Sequence, residues 1–373
     1  MTESKRRRVL RRVLAIVTCV LVVATALPLL ASDAWWVRSL EFPRVQIALL
    51  LSLSLAALAA AGLRRAKLVI ALGVLAFGYQ AWRVFPYTTF ASVQAKAVET
   101  CPVGQSVSIM VANVLQDNRD FDRLTTEVLR QNPDIFIALE TDRGWVDALT
   151  PALGNDYPVR RVIPLDNTYG MALYSRMPFR ALEQRATVEP DIPSLLAKFR
   201  LPSGDPFTLL ALHPRPPIPG KDSGTRDAEL VLAAIEVAQE DLPVIVAGDL
   251  NDVAWSDTTK LFQQLSGLLD PRVGRGQFPS FHADYPMARW PLDHIFFSDD
   301  FGLISFSRQN HVGSDHFPVS AALCLHPERM VSQQEGIAVE EDTVENAVEQ
   351  LSNGLEQQAE EMSDGGDETQ TGE

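Results

Sequence analysis

An α+β sandwich, two β-sheets with helices outside, is the fold class predicted for the middle of this chain. Apolar strand-like runs alternate with amphipathic segments between residues 106 and 326. About ten strands accompany only two or three helices there, and hairpin turns are mixed with crossovers, which suits a two-sheet sandwich better than a doubly wound parallel sheet. Composition then divides the chain into a basic apolar start (1–100), this acidic middle (101–326) and an acidic tail (327–373).

The formal charge of -14 is concentrated at the end, where residues 327–373 carry 14 Asp and Glu against the single Arg329. Residues 1–100 hold 13 Lys and Arg against four acidic side chains, and residues 101–326 hold 19 basic against 29 acidic, a net of -10. Within the start, 13–31 is a run of 19 residues without a charge, 45–63 is a second run and 68–85 a third if Arg83 reaches the interface. About 20 apolar residues cross a hydrocarbon core as a helix. Three transmembrane helices are therefore expected, a cleavable signal peptide being the alternative for the first. "KRRR" with Arg11 and Arg12, and the loop "RRAK" at 64–67, fall on one side if all three runs span. Basic loops stay in the cytoplasm, so the N-terminus is expected there and the chain after residue 100 on the periplasmic or extracellular side. The tail from Ser332 has no aromatic residue and few large apolar ones, too little to offset its ordering entropy. It is expected to be disordered, with a transient helix near 342–361.

In the middle region the elements follow in order. "VSIMVANV" reads as a strand, and "FDRLTTEVLRQ" places Phe121, Leu124, Val128 and Leu129 at helical spacing. "NPD" ends that helix, because the residue before a proline is turned away from helical backbone. "DIFIALE", "GMALYSR" and "RALEQRATV" read as strands; "LLAKFRL" and "PFTLLALH" flank "PSGD" as a hairpin. "GTRDAELVLAAIEVAQ" is a helix with Leu230, Ala233, Ala234 and Val237 on one side. "VIVAGDL", "LDHIFFS" and "DHFPVSAALCL" complete the strands.

Polar residues gather where these strands meet loops. Asn113 ends the first strand, Glu140 the second and His213 the hairpin; Asp249 and Asn251 end the next; Asp293 opens one and Asp315 with His316 opens the last. Each alone is explained by turn or capping chemistry, but six such junctions offering only carboxylate, carboxamide and imidazole are hard to explain together. Carboxylates suit magnesium or manganese, a carboxamide holds a phosphoryl oxygen without adding charge, and a water attacking phosphorus needs a proton acceptor. Closely spaced Cys or His residues for zinc, a G-x-S-x-G elbow and a P-loop are all missing from the sequence.

Asn113 in "VANV", Glu140 in "ALETD", "YGMALYSR", His213 in "ALHP", "GDLND", "LDHIFF" and "GSDHFPV", in this order, closely resemble the endonuclease/exonuclease/phosphatase superfamily of magnesium-dependent phosphoesterases. The likeness spans about residues 106–325, and with the preceding apolar runs it is similar to the integral-membrane bacterial members. The resemblance implies a four-layered α/β sandwich and Mg2+ or Mn2+ as cofactor. It implies Glu140 as principal metal ligand with Asn113 and Asp315 beside metal and phosphate, Asp249 as the group that orients and deprotonates water, and Asn251 as a phosphoryl holder. His316 paired with Asp293 would steady charge on phosphorus or donate a proton, and His213 would bind phosphate or protonate the leaving group. His294 alternates with Asp293 along its strand and should face away as a packing residue; His282 and His311 read as loop residues and His326 as a chain-end one.

Three function classes follow. A nuclease gains affinity from Lys and Arg on phosphates, yet the middle region is at -10 with no basic run. A phosphodiesterase or phosphatase acting on a lipid head group or small phosphoester is favoured by the anchor; "WPLDHIF" stands where inositol polyphosphate phosphatases carry "PAWCDR", which argues against that branch. A binding protein without catalysis would show a lost site residue, and none is missing. Substrate, oligomeric state and protein partners are not written in these motifs. In the family resembled, the first and last strands are antiparallel neighbours, so Cys101 and Cys324 are a candidate disulfide, two unrelated thiols being the alternative; Cys19 lies within the first apolar run.

Overall fold

The computed structural model describes residues 2–30, 32–61, 67–325 and 342–368. Its elements are α1 (Thr2–Ala26), α2 (Trp35–Arg38), α3 (Arg44–Ala60), α4 (Lys67–Val84), β1 (Ser106–Asn113), α5 (Phe121–Gln131), β2 (Ile135–Leu139), α6 (Arg143–Leu153), β3 (Val159–Ile163), β4 (Met171–Ser175), β5 (Ala181–Ala186), β6 (Pro193–Arg200), β7 (Pro206–Leu212), α7 (Gly224–Ala238), β8 (Val244–Asp249), α8 (Asp257–Ser266), β9 (Asp293–Phe297), β10 (Phe301–Arg308), β11 (Val319–Leu325) and α9 (Thr343–Glu368).

The strands form two mixed sheets, ordered β10-β11-β1-β2-β4-β3 and β5-β6-β7-β8-β9. Strand alternation explains the layers. In β1, Val107, Ile109 and Val111 point between the sheets, where they meet Leu209, Ile245 and Ile295. Met110 and Ala112 point outward, onto Leu124 and Val128 of α5 and Trp145 and Leu149 of α6. On the other sheet Leu210, Val246 and Phe296 face Leu230, Ala234 and Phe262 of α7 and α8. Helices thus cover both outer faces, as in the expected α/β sandwich. Within the sandwich four elements were not legible as such: β3, β10, α6 and α8. Both helices start on side-chain caps, Asp142 accepting from the Trp145 amide and Ser256 from the Thr259 amide, a signal in the sequence that the apolar spacing alone does not carry. The last strand begins at Val319, so Asp315 and His316 lie on the loop before it rather than at its first residues.

Two helical stretches, Arg8–Leu29 and Lys67–Tyr87, are long and apolar enough to cross a membrane. The middle run differs from expectation: α3 meets that measure only when joined across a 69° bend to Trp35–Glu41, because Pro43 interrupts the chain ahead of its 17 residues. Leu21, Ile47, Leu51 and Ala76 pack the three helices together, while Val20, Leu53, Leu68 and Leu75 face outward, exposed. Of the loop "RRAK", 64–66 lie outside the described residues.

The expectation of a disordered tail is corrected over α9, which lies along α7. Small residues make this possible where large apolar ones are lacking. A Cβ on Gly354 would come within 2.3 Å of the Gly224 carbonyl oxygen and 2.4 Å of the Ala228 Cβ, so the backbones cross in contact and gain dispersion energy without large side chains. Ala347 and Leu351 pack on Val231 and Leu261, and Glu361 receives two hydrogen bonds from Arg215, at 2.7 and 2.9 Å. Those hydrogen bonds pull the Glu361 carboxyl down to about 2. Gly354→Val should therefore lift α9 off α7. Hydrogen exchange over 343–363 would then rise to that of an unpacked helix; unchanged protection would show that the crossing tolerates a side chain.

Antiparallel pairing of β1 with β11 sets Ser106 opposite Cys324, and Cys101 is bonded to Cys324 with Cα atoms 5.7 Å apart, within the usual disulfide span. The bond ties the chain leaving the apolar helices to the final strand. Cys101→Ser should cost about 2–5 kcal/mol of stability, read by denaturant unfolding under non-reducing conditions. Alkylation of protein from intact cells should leave both cysteines unlabelled; labelled Cys101 and Cys324 would remove the bond.

Candidate active site

Each sheet contains one parallel pair of strands, β1 with β2 and β7 with β8, and the carboxyl ends of the two pairs face each other across the sandwich. Register does the placing. Asn113 is level with Leu139, so Glu140 follows directly beside it; Leu212 is level with Gly248, setting His213 beside Asp249; Asp249 is level with Asp293. Gly248 is required by close approach, because a Cβ there would lie 1.8 Å from the Leu212 carbonyl oxygen. Two of the expected site residues stand in the turns that follow: Glu140 and Asn251 sit at φ 61° and 51°, a region costly for residues other than glycine and often retained at functional sites.

The Asn113 amide nitrogen lies 2.8 Å from Glu140 Oε1 in its own sheet and 3.1 Å from Asp249 Oδ2 in the opposite one. Its carbonyl oxygen accepts from the Leu115 amide, and the Gln116 amide donates to Glu140 Oε2. Asp249 Oδ1 accepts from the Asn251 amide at 3.0 Å, and the Asn251 side chain donates to the Pro214 carbonyl at 2.8 Å. Arg226, buried in α7, donates to the Asn251 carbonyl at 2.8 Å and so braces that turn. Ser314 donates to the Asn113 carbonyl and accepts from the His316 amide, which pins the last loop to the end of β1.

His316 lies between two carboxylates, its Nδ1 2.8 Å from Asp293 and its Nε2 3.6 Å from Asp249. Burial weighs against a charged imidazole, but Asp293 and Asp249 outweigh it and lift His316 to about 10. Burial also pushes Asp249 up to about 6, with His316 pulling the other way and Asp293 adding to the rise. His213 is 4.0 Å from Asp249 and packs at a tilt of 52° against Tyr169, with ring centres 5.6 Å apart. Burial lowers its pKa, and its Nδ1 is buried without a hydrogen-bond partner. Burial raises Glu140 as well.

Asn113, Glu140, His213, Asp249, Asn251 and His316 line one cavity of about 500 Å³, together with Asp315, Tyr169, Phe281 and Trp290, while Asp293 lies behind His316 and off the cavity lining. The ligating atoms of Asp249, Asp293 and His316 lie within 4.8 Å of one another. Because one imidazole nitrogen is hydrogen-bonded to Asp293 and the other is within ion-pair distance of Asp249, this group has the chemistry of a charged triad, separate from the carboxylates of Glu140 and Asp315. Those two and the Asn113 carboxamide offer hard oxygen donors on the cavity wall, and the donor set fits a small divalent cation. His294 is elsewhere, on the outer face of β9, between Arg272 at 2.6 Å and the Asp252 carbonyl at 2.9 Å. His311 sits on an outer loop 3.5 Å from Asp284, and His282 accepts from the Asp284 amide; His326 lies outside the described residues. Gln116 and Arg226 had no motif to announce them, and Ser314, although inside "GSDHFPV", was assigned no role there. Their roles arise from backbone and ion-pair contacts made only in the folded chain.

A model of the Endonuclease/Exonuclease/phosphatase family matches residues 110–316. No curated protein matches the chain. Among solved structures, an endonuclease/exonuclease/phosphatase from Bacteroides vulgatus is 19% identical with a TM-score of 0.50, covering 59% of this chain and 99% of its own. The catalytic domain of human Nocturnin, with bound sulfate, is 16% identical with a TM-score of 0.49, covering 61% and 96%. D. rerio TDP2 in complex with a single-strand DNA product is 20% identical with a TM-score of 0.48, covering 58% and 98%. With its motif residues gathered at one end of a two-sheet sandwich and the family model covering more than half its length, the chain belongs to the endonuclease/exonuclease/phosphatase family, whose members are hydrolases of phosphoester bonds.

Proposed function

We propose that this hydrolase is a membrane-anchored, divalent-metal-dependent phosphodiesterase that cleaves its substrate by in-line attack of water on phosphorus. The observation that carries the reading is the cavity in which Asn113 ties Glu140 to Asp249 beside the charged His316–Asp293 pair. Glu140, Asp315 and Asn113 would hold Mg2+ or Mn2+, which supplies Lewis-acid charge to the phosphoryl group when bound. Asp249 accepts the proton of the attacking water as the new P–O bond forms and the ester P–O bond breaks. Its carboxylate is oriented for this by the Asn251 amide and by Asn113. Asn251 has one amide hydrogen on Pro214 and a second left for a phosphoryl oxygen. His316, held cationic by Asp293, steadies charge on phosphorus, and His213 protonates the departing oxygen or binds phosphate. Every motif position the family uses is filled, which disfavours a binding protein without catalysis.

The anchor comprises residues 1–100, the catalytic sandwich 101–326. Arg8, Arg11 and Arg12 stand in the first half of α1, whereas Arg38, between α1 and α3, and Tyr87, after α4, both contact the sandwich. The positive-inside rule then places the N-terminus in the cytoplasm and the sandwich on the far side. A Cys101–Cys324 bond agrees with an oxidising compartment.

In full-length protein with magnesium, Asp249→Asn should lower turnover of a phosphodiester by about a hundredfold or more, since it removes the proton acceptor at nearly constant shape. Glu140→Gln should instead raise the magnesium concentration needed for half-maximal rate. Near wild-type turnover for the first, or an unchanged magnesium requirement for the second, would remove the assigned role. A reporter fused after residue 100 should be active only on the far side of the membrane, and a cytoplasmic signal would reverse the topology.

A further inference from the structure

The cavity is not built by the sandwich alone. Ser39, Phe42 and Pro43, from the segment between α1 and α3, line it together with Asn113, Glu140, Asp249 and His316. Phe42 meets Trp290 edge to face at 5.8 Å, and both pack with Phe281 on a cluster that includes Leu292, Tyr87 and Trp255. Pro43 is the residue before the apolar helix α3, so the cavity wall passes directly into a membrane-type helix. From the first turn of that helix, Gln46 donates to the Met287 carbonyl at 3.0 Å, and Met287 and Tyr285 of the same loop are exposed.

This wall is held firmly. Arg38 donates to Asp227 at 3.1 Å and Thr258 at 3.2 Å, the Trp255 indole donates to the Glu41 carbonyl at 2.9 Å, and Tyr87 bonds the Ala254 carbonyl. Asp227 in turn pairs with Arg226, the residue that braces the Asn251 turn. Among the described residues, no Lys or Arg lines the cavity. A nucleic acid, whose further phosphates need cations, has little to hold it there, whereas an aliphatic chain would meet Phe281, Trp290, Phe42 and Pro43, the last directly preceding α3.

We propose that residues 39–43 complete the active site as the apolar half of a substrate cleft, and that the substrate is an amphiphilic phosphoester of the bilayer in which the protein sits. Its phosphate lies among Asn113, Asp249, Asn251 and His316 and its hydrocarbon chain along Phe42 and Trp290. This rests on the phosphodiesterase reading and names the substrate class for the same site.

The test uses the full chain in lipid nanodiscs with magnesium and a series of alkyl 4-nitrophenyl phosphodiesters from methyl to dodecyl. In each, water adds to phosphorus and 4-nitrophenolate leaves, so only the chain varies. Three or four methylenes on the wall, at roughly fourfold each, should raise kcat/KM on the order of a hundredfold from methyl to dodecyl. Phe42→Ser and Trp290→Ser, each taken with its melting midpoint, should flatten that rise at least roughly tenfold, since either opens the wall. A methyl ester cleaved as well as the dodecyl ester would overturn the amphiphile while leaving the phosphodiesterase standing. So would a rise that both variants retain, which is partition into the nanodisc alone, or a preference for thymidine 5′-(4-nitrophenyl phosphate) over the dodecyl ester. Failure of the wild type to cleave any ester, with magnesium or manganese, would instead remove the phosphodiesterase reading itself.

Discussion

One amide group holds the two halves of this site together. Asn113 ends a strand of one sheet, yet its side-chain nitrogen reaches Glu140 in that sheet and Asp249 in the other. Two buried carboxylates of like charge would repel and each would be costly to desolvate. A neutral carboxamide between them supplies a shared donor without adding a charge that would compete for a cation. The rest follows from keeping that contact: the β1–β2 and β7–β8 registers, the glycine at 248 that lets Leu212 approach, and Ser314 pinning the last loop to the Asn113 carbonyl.

Around this bridge the electrostatics are divided. On one side, Asp293 and Asp249 favour the charged form of the buried His316 imidazole, the positive charge that the proposed mechanism sets against the phosphoryl group. On the other, Glu140 and Asp315 provide oxygen donors suited to a divalent cation. Preorganised charges in a buried cavity stabilise a developing anion with little reorganisation, which is a large contribution to catalysis of this type. The supporting shell reaches far: Arg226 links the Asn251 turn to Asp227, and Asp227 links it to Arg38 next to the apolar helices. The site and the segment next to the N-terminal apolar helices therefore share one network of ion pairs and hydrogen bonds.

Much of this was written in the sequence. Strands, the two helices with clear apolar spacing and the polar strand ends were legible because alternation and periodicity are local, and the motifs around Asn113, Glu140, His213, Asp249, Asp293 and His316 were legible because they recur in a known family. Four elements of the sandwich escaped for local reasons too: α6 and α8 declare themselves through the caps Asp142 and Ser256, β3 carries little apolar alternation, and in β10 the alternation is broken by a bulge between Leu303 and Ser305. The tail was misread because its small residues look unable to bury surface, while a crossing at Gly224 and Gly354 needs no large ones.

By itself, then, the sequence determined the division into apolar start, sandwich and acidic tail, the alternation that builds two sheets, and which polar side chains stand at strand ends. These depend on a residue and its near neighbours. Only the tertiary structure decided which strand ends face one another, that Asn113 bridges the sheets, that α9 covers α7, and that Phe42 and Pro43 join a cavity more than 200 residues away from Asp249 in sequence. Such pairings depend on register and on packing between distant segments, and neither composition nor period records which surfaces meet.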